Sequence, residues 1–165
     1  MASFNGKEIP ICYASCSIGH ESSKHTLPEK LKALANVGFD AIELSMSDIL
    51  SYGQQVSKSK AKIDPKDYQT LRSVAAEIGK LCEKEGLKVL MLQPFANFEG
   101  WPRGNERKDA FERAKGWMSI MEAVGTDMLQ IGSSDAEGIS SRFDHLASDL
   151  AELADIFAEK GFRIA

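Results

Sequence analysis

The sequence predicts an α/β fold in which parallel strands alternate with helices. Three observations predict it: a glycine that recurs before a short apolar run, a helical apolar stripe before these glycines, and long polar segments after the runs. The composition is ordinary for a globular chain of 165 residues, with 43% hydrophobic and 27% charged residues. One domain with a sizeable core is expected at this length.

The unit of glycine and apolar run occurs four times, at residues 38–44, 86–92, 125–131 and 161–165, and an earlier run lies at 9–14. A spacing of about 40 residues is typical of a repeated supersecondary unit. Glycine just after a helix adopts the left-handed conformation at little cost, which lets the chain reverse into a strand. The five runs are therefore predicted strands.

The segments before the glycines carry apolar residues at helical spacing. The predicted stripes are Leu31, Leu34 and Ala35; Leu71, Val74, Ala75, Ile78, Leu81 and Cys82; Ala110, Phe111, Ala114, Trp117, Met118 and Met121; and Phe143, Leu146, Ala147, Leu150, Leu153, Ala154 and Phe157.

Polar residues mark the expected helix starts. Thr26 followed by Glu29 forms a capping box. Asp64, with proline next to it, and Ser141 are the predicted N-caps of the second and fourth helices, and Asn105 is a weaker cap for the third.

Strict alternation of strands and helices predicts a parallel sheet with the helices outside it. A doubly wound sheet and a (β/α)₈ barrel both fit this order. The turns from helix to strand are tight, whereas the segments after the strands, 15–25, 45–63, 93–104 and 132–140, are long loops. Ligands bind at the carboxyl ends of the strands in both folds, so these loops are the expected site.

Charge and apolar patterning exclude several partners. The net charge of −4 lacks the basic footprint of a nucleic-acid-binding domain, and Lys58, Lys60 and Lys62 fit a solvated loop. No stretch approaches the roughly 18 apolar residues of a membrane span, and the N-terminus has no apolar signal core.

The three cysteines predict a reducing compartment. Cys12, Cys16 and Cys82 make an odd count without a Cys-x-x-Cys spacing, so we expect reduced thiols and a cytoplasmic protein. A catalytic cysteine has no obvious base partner in the sequence.

Several motifs resemble one family. Residues 17–19, 25–31 and 38–44 resemble the opening of the xylose isomerase-like (sugar phosphate isomerase/epimerase) TIM barrels. The stretch Leu-Gln-Pro-Phe-Ala-Asn-Phe-Glu-Gly at 92–100 is similar to the third-strand loop of the fungal 3-dehydroshikimate dehydratase-like branch, and 125–129 resembles its fourth strand. The resemblance runs from about Ile9 to the end of the sequence.

The resemblance implies a partial (β/α)₈ barrel, with about four βα units and a fifth strand. Residues 1–8 are the expected N-terminal tail and 9–165 the expected N-terminal half of the barrel, because a whole barrel needs roughly 250 residues. The parent family implies a divalent metal (Mg, Mn, Co or Zn), but its ligands come from the end of the fifth strand onward. We therefore expect no firm metal binding by this chain. A fragment, a gene-model artefact and a natural short form stay open as explanations.

The same resemblance implies a lyase that converts 3-dehydroshikimate to protocatechuate through an enolate, inactive as this fragment. A sugar (phosphate) isomerase or epimerase is the alternative within the family, with a small polar or acidic carbohydrate-like substrate. An abasic-site endonuclease is disfavoured, because 43–46 and 92–95 lack the histidines of its zinc cluster. A non-catalytic half-barrel that pairs with itself or with a complementing C-terminal half is the alternative of another class, and a poorly folding gene product is the third.

The catalytic candidates are His25 and Glu43. Histidine titrates near neutrality, so His25 and its loop neighbour His20 could contact substrate or move a proton, although His25 could equally be a helix-entry residue. Glu43 lies near the end of an apolar strand, where an acid either faces the barrel mouth or forms a structural salt bridge.

Five further residues are substrate-binding candidates. Gln93 and Gln130 end strands, where amides could bond substrate hydroxyls or tie loops together. Arg103 could clamp a carboxylate and shares a loop with Glu99. Ser133 belongs to a Gly-Ser-Ser-Asp segment that could hold phosphate with its backbone amides, although the segment lacks the pattern of a strong phosphate loop.

Overall fold

The computed structural model describes residues 2–4, 7–19, 25–57 and 61–165. A hairpin of β1 (Ala2–Phe4) and β2 (Lys7–Ile9) precedes the alternating part of the chain. The strands that follow are β3 (Cys12–Ala14), β4 (Ala41–Ser45), β5 (Lys88–Phe95), β6 (Met128–Ile131) and β7 (Arg163–Ile164). The helices are α1 (Leu27–Asn36), α2 (Met46–Val56), α3 (Tyr68–Lys84), α4 (Asn105–Val124) and α5 (Phe143–Ala158).

The main sheet has five parallel strands in the order β3-β4-β5-β6-β7. Each strand therefore lies beside its neighbour in the chain. A doubly wound sheet would reverse its strand order at a switch point, and this sheet does not. The sequential order is that of a barrel wall, which confirms the predicted partial (β/α)₈ fold.

One face of the sheet carries the core. Right-handed crossovers between sequential parallel strands place the helices on the same face. There Ile42, Leu44, Leu92 and Leu129 are fully buried, and α3 packs against both α2 and α4. The apolar stripes predicted for α3 and α4 lie in this core, so their helical periodicity is confirmed.

The opposite face of the sheet is largely uncovered by the described elements. Side chains alternate along a strand, and the register pairs Glu43 with Met91. Alternation also places Ser45 and Gln93 on this side, but both are buried at the strand ends. We define the open face by Cys12, Ala14, Glu43, Met91, Met128 and Gln130, together with Leu90, the extra residue that the register shift between Ile42 and Glu43 leaves in β5. All of them are half-buried or exposed, and none belongs to the core cluster.

The predicted start of α1 is confirmed. The backbone N–H of Thr26 donates to the Glu29 carboxylate at 2.7 Å, and the Thr26 hydroxyl donates to the same oxygen at 3.0 Å. Proline follows at the first turn, where its missing N–H is not needed.

The other three predicted starts are wrong by one to three residues. Asp67 caps α3 by accepting from the Thr70 N–H at 3.1 Å, whereas Asp64 accepts from the Lys66 N–H and closes a preceding turn. Asn105 is the first residue inside α4, after Gly104. Arg142, not Ser141, precedes α5, without a side-chain cap.

The segment 45–63, predicted as a loop, contains the helix α2. The Ser45 hydroxyl caps this helix by accepting from the Ser47 N–H at 3.3 Å. Met46 and Ile49 are buried residues of the helix itself. Gly53 permits the close approach, since a Cβ there would lie 2.8 Å from Ile63 and 3.0 Å from Val74.

The stripe predicted for α5 is wrong at its N-terminal end. Phe143 is 89% exposed and Ala147 is exposed, whereas Leu153 and Phe157 are fully buried. The physical reason is that α5 packs on β7, and β7 is only two residues long. The first turns of α5 have little sheet beneath them.

Candidate functional site

A buried ion pair supports the first loop at the carboxyl ends of the strands. The Lys30 ammonium lies 2.8 Å from Asp48 and also donates to the carbonyls of Ser15 and Gly19, at 3.4 and 3.1 Å. The Ser15 hydroxyl donates to Asp48 at 2.7 Å and accepts from the Ser45 N–H at 3.0 Å. Charges from α1 and α2 therefore fix the loop that follows β3.

The two predicted glutamines make loop contacts. The Gln93 amide is buried and donates to the Cys16 thiol at 3.5 Å, so it joins the end of β5 to the first loop. The Gln130 amide donates to the Ile131 carbonyl at 3.3 Å and is half-buried.

The third and fourth loops form one unit, which we call the paired loops (residues 96–104 and 132–140). Asn97 has a left-handed φ of 53°, and its side-chain oxygen accepts from the N–H groups of Asp135 and Ala136 at 2.8 and 3.2 Å. The Glu99 carboxylate accepts from the Ser134 N–H at 3.0 Å. These contacts hold the two loops together across neighbouring strand ends.

A half-buried arginine supports the paired loops. Arg113 donates to the carbonyls of Ala96 and Asn97, both at 2.8 Å, and its guanidinium lies 4.2 Å from the Phe95 ring centroid. Burial lowers the pKa of Arg113. Arg113 therefore binds the loop backbone by hydrogen bonds and the Phe95 ring by a cation–π contact.

Asp149 of α5 anchors the same loops from the other side. Its carboxylate accepts from the Gly100 N–H at 2.8 Å and from Arg107 at 2.8 Å, and Arg107 also binds Glu152. The hydrogen bonds and ion pairs to these two acids raise the pKa of Arg107.

Glu99 is the most unusual carboxylate of the paired loops. Its side chain is only 6% exposed, and Oε2 has no hydrogen-bond partner among the described residues. The residue lines a cavity of about 240 Å³ together with Ser133. The amides of Ser134 and Asp135 are already occupied by Glu99 and Asn97, which weakens the phosphate interpretation of this segment.

Glu43 lies half-buried on the open face. Within the described ranges it has no hydrogen bond or ion pair, so the structural salt bridge considered for it is not found there. Its neighbour is Cys12, whose pKa rises to about 11, mainly because of burial and then because of the Glu43 charge. An unpaired acid here can accept or donate a proton.

The remaining candidates are dispersed. His25 is exposed beside the first turn of α1, and His20 lies outside the described residues. Arg103 is exposed and lines a separate cavity of about 550 Å³ between α4 and α5, which Glu99 does not line. The structure therefore does not place Arg103 and Glu99 at one cavity.

The thiols of Cys12 and Cys82 are poor nucleophiles. Burial raises the pKa of Cys82 to about 12, and the pKa of Cys12 is also raised. Neither residue therefore carries the thiolate that nucleophilic chemistry requires near neutrality. All three cysteines are free.

No metal centre is formed by the described part of the chain. It contains no group of three or more histidine, cysteine, aspartate or glutamate side chains placed to hold an ion. The described side chains offer no ligand set for the divalent metal that the family resemblance implies, so we assign no step to a metal.

Sequence reasoning did not find the residues that hold the loops, namely Ser15, Lys30, Asp48, Arg113 and Asp149. One signal was available: Ser45 and Asp48 have the spacing of a helix start, and that spacing would have predicted α2. The others are long-range contacts without a local sequence pattern.

Comparison with protein families decides the relationship. The sequence model of the family described as xylose isomerase-like TIM barrel matches residues 31–165. The chain belongs to this family. The family match and the sequential parallel sheet agree, since both describe a barrel wall.

Two curated relatives are 3-dehydroshikimate dehydratases. The protein from Pseudomonas aeruginosa is 34% identical over 148 residues, which is 90% of this chain and 20% of the relative. The Neurospora crassa protein is 28% identical over 151 residues, 90% of this chain and 42% of the relative. The chain therefore spans less than half the length of either relative.

Solved structures share the fold. A xylose isomerase-like TIM barrel/4-hydroxyphenylpyruvate dioxygenase fusion protein matches with a TM-score of 0.75 and 25% identity, over 96% of this chain and 21% of that protein. The IolI protein, solved with a bound zinc atom, matches with a TM-score of 0.67 and 17% identity, over 95% of this chain and 50% of IolI. None of the helices described here has the length and apolarity to cross a membrane.

Proposed function

We propose that the chain supplies the substrate-side wall of a 3-dehydroshikimate dehydratase, a lyase that removes water from 3-dehydroshikimate. The observation that carries the proposal is the 34% identity to the Pseudomonas aeruginosa enzyme across 90% of this chain. The geometry supports it, because polar side chains gather at the carboxyl ends of the strands where ligands of such barrels bind. We place the protein in the cytoplasm, in keeping with its three free cysteines.

In this proposal Glu43 moves a proton at the substrate. Formation of the enolate requires a group that abstracts the proton next to the carbonyl. Glu43 is the candidate because its carboxylate is half-buried, lacks an ion pair among the described residues and belongs to the face that the helices leave uncovered. His25, by contrast, is exposed at the start of α1.

The proposed substrate contacts come from the strand ends and the paired loops. Gln93, Gln130, Glu99 and Ser133 present amide, carboxylate and hydroxyl groups there, which suit a small polar substrate. We also propose that this chain alone binds no divalent metal firmly and shows no turnover. Among the described side chains, the acids and histidines stand too far apart to form a cluster.

A chimeric barrel tests the proposed function. Residues 9–165 would replace the matching segment of the Pseudomonas aeruginosa enzyme, and protocatechuate formation from 3-dehydroshikimate would be followed with Mg²⁺ or Mn²⁺. We expect product from the chimera, loss of at least a hundredfold in kcat with Glu43→Gln, and no product from this chain alone. A folded chimera without activity would contradict the substrate assignment, and product from the chain alone would contradict the proposed division of labour.

A second candidate function is self-association without catalysis. The specific observation is the open face, where Leu90 is 39% exposed and Met91 and Met128 are half-buried, on a sheet whose outer strands, β3 and β7, offer unpaired backbone groups. Such a face can associate with another chain. A second copy or a complementing C-terminal half would cover it.

A further inference from the structure

Two buried polar atoms in the paired loops lack partners. Glu99 Oε2 and the Ser134 hydroxyl are sealed from solvent, and neither has a hydrogen-bond partner within the described residues. The two side chains are neighbours, since the other Glu99 oxygen accepts from the Ser134 N–H at 3.0 Å. One hydrogen bond therefore joins the two residues, while Glu99 Oε2 and the Ser134 hydroxyl have no partner among the described residues.

A purely structural carboxylate would be satisfied on both oxygens, because an unpaired buried charge destabilises the fold. The loop cations do not compensate it. Arg107 is bonded to Asp149 and Glu152, and Arg113 donates to two backbone carbonyls. Glu99 forms no ion pair with any described residue.

The adjacent cavity has the size and lining for a small polar ligand. It is a partly open cavity of about 240 Å³ at the ends of β6 and β7, with room for about eight water molecules at about 30 Å³ each. Glu99, Gly132 and Ser133 form its polar side. Its remaining lining is apolar and consists of Ile131, Leu150, Ile164 and Ala165.

We propose that Glu99 and Ser134 form a hydroxyl-binding subsite that selects a neutral, polyhydroxylated part of the ligand. A ligand hydroxyl donates to Glu99 Oε2, the Ser134 hydroxyl donates to a ligand oxygen, and the apolar side of the cavity contacts ring carbons. The inference rests on the proposed function for the ligand class and deepens it by naming which part of the substrate is read.

The same geometry excludes a phosphate group from the subsite. The carboxylate repels an anion, and the amides of Ser134 and Asp135 already donate to side chains. Because both free atoms are sealed and Ser134 does not line the cavity, the 133–134 segment must shift to admit the ligand. Ser133 is exposed, so this segment lies at the surface where such a shift meets little packing.

Binding to the full chain tests the subsite without using activity. The amide signals of Gly132 and Ser134 would be followed by NMR during titration with 3-dehydroshikimate, D-fructose or inorganic phosphate. We expect both polyhydroxylated probes, and not phosphate, to shift these signals. Glu99→Gln and Ser134→Ala should each weaken binding at least tenfold.

A stability readout separates a binding role from a structural one. Glu99→Gln can still accept from Ser134 but removes the uncompensated charge, so the free protein should show a higher Tm. The matched control is Glu77→Gln, an exposed acid in the middle of α3, which should change neither affinity nor Tm.

The possible outcomes separate the two proposals. Glu99-dependent binding of D-fructose without binding of 3-dehydroshikimate would retain the subsite and overturn the proposed substrate. Unchanged affinity in Glu99→Gln, a lowered Tm in that variant, or an ordered water as the only occupant of the cavity would overturn the subsite.

Discussion

At the residue scale, the Lys30–Asp48 ion pair affects the free energy of unfolding most when only one of the two partners is removed. Both side chains are almost fully buried, with Lys30 only 3% exposed. Lys30→Met leaves the Asp48 charge buried without its cation, so we expect the free energy of unfolding to fall by about 3 to 5 kcal/mol. Urea denaturation at low temperature measures this loss.

The double variant provides the control for that prediction. Lys30→Met with Asp48→Asn removes the charge and keeps an oxygen that can accept from Ser15. It should lose less stability than Lys30→Met alone. Equal losses in the two variants would mean that the buried charge is not what destabilises the single variant.

The buried thiol of Cys82 makes stability depend on alkaline pH. Its folded-state pKa is raised to about 12, above the ordinary value near 9. The unfolded thiol ionises first, so its contribution is complete below pH 9 and is lost as the pH rises toward 12. Linkage gives a loss of about 1 kcal/mol at pH 10 relative to pH 7.5.

Cys82→Ala isolates this contribution. The variant should lose less stability between pH 7.5 and 10 than the parent chain does, by about the linkage value, whatever its stability at pH 7.5. Urea denaturation at both pH values measures the difference. Identical pH slopes for the two proteins would show that Cys82 ionises alike in the folded and unfolded states.

Single residues also show what the sequence could reveal about the site. The position of Glu43 follows from a local pattern, because an acid inside an apolar strand is visible in the sequence. The unpaired oxygen of Glu99 was not predictable, since it depends on which groups of a distant loop reach it. Lys30 and Asp48 are separated by 18 positions and meet only after two βα units have folded.

At the element scale, α5 is stabilised at one end only. Phe157 is fully buried whereas Phe143 is 89% exposed on the same helix. Phe157→Ala should therefore lower the free energy of unfolding by about 3 to 5 kcal/mol. Phe143→Ala should change it by no more than about 0.5 kcal/mol.

The paired variants use the same change in side chain, so helix propensity cancels between them. Chemical denaturation compares the two directly. A large loss in Phe143→Ala would mean that the first turns of α5 pack against something in solution, such as a second chain. Hydrogen exchange along α5 would then show protection at its N-terminal turns.

Elements differ in how far the sequence determines them. The stripes of α3 and α4 are long and face a broad sheet, so periodicity alone located them. α2 was missed because its short stripe is interrupted by Gly53, which is tolerated for close packing against Val74. The helix starts were misplaced because several polar residues near each start can serve as cap, and tertiary packing chooses among them.

At the scale of the whole molecule, the sequential sheet was predictable because each βα unit carries its own signal. What the sequence could not show is how much of the open face stays uncovered. That face combines exposed Leu90 with half-buried Met91 and Met128, and both outer strands of the sheet offer unpaired backbone groups. Burial of this apolar surface against another copy would lower the free energy of the assembly relative to the separate chains.

We therefore expect the purified chain to associate as its concentration rises. Leu90→Gln with Met128→Gln should reduce the association, with little change in the free energy of unfolding of the monomer, because neither side chain packs in the core. Val37→Gln is the matched control: Val37 is 73% exposed at the end of α1, away from the open face, and its replacement should leave association unchanged. Sedimentation velocity over a range of concentrations measures all three proteins. A parent chain that stays monomeric, or a control that weakens association as much as the double variant, would mean that the open face does not drive assembly.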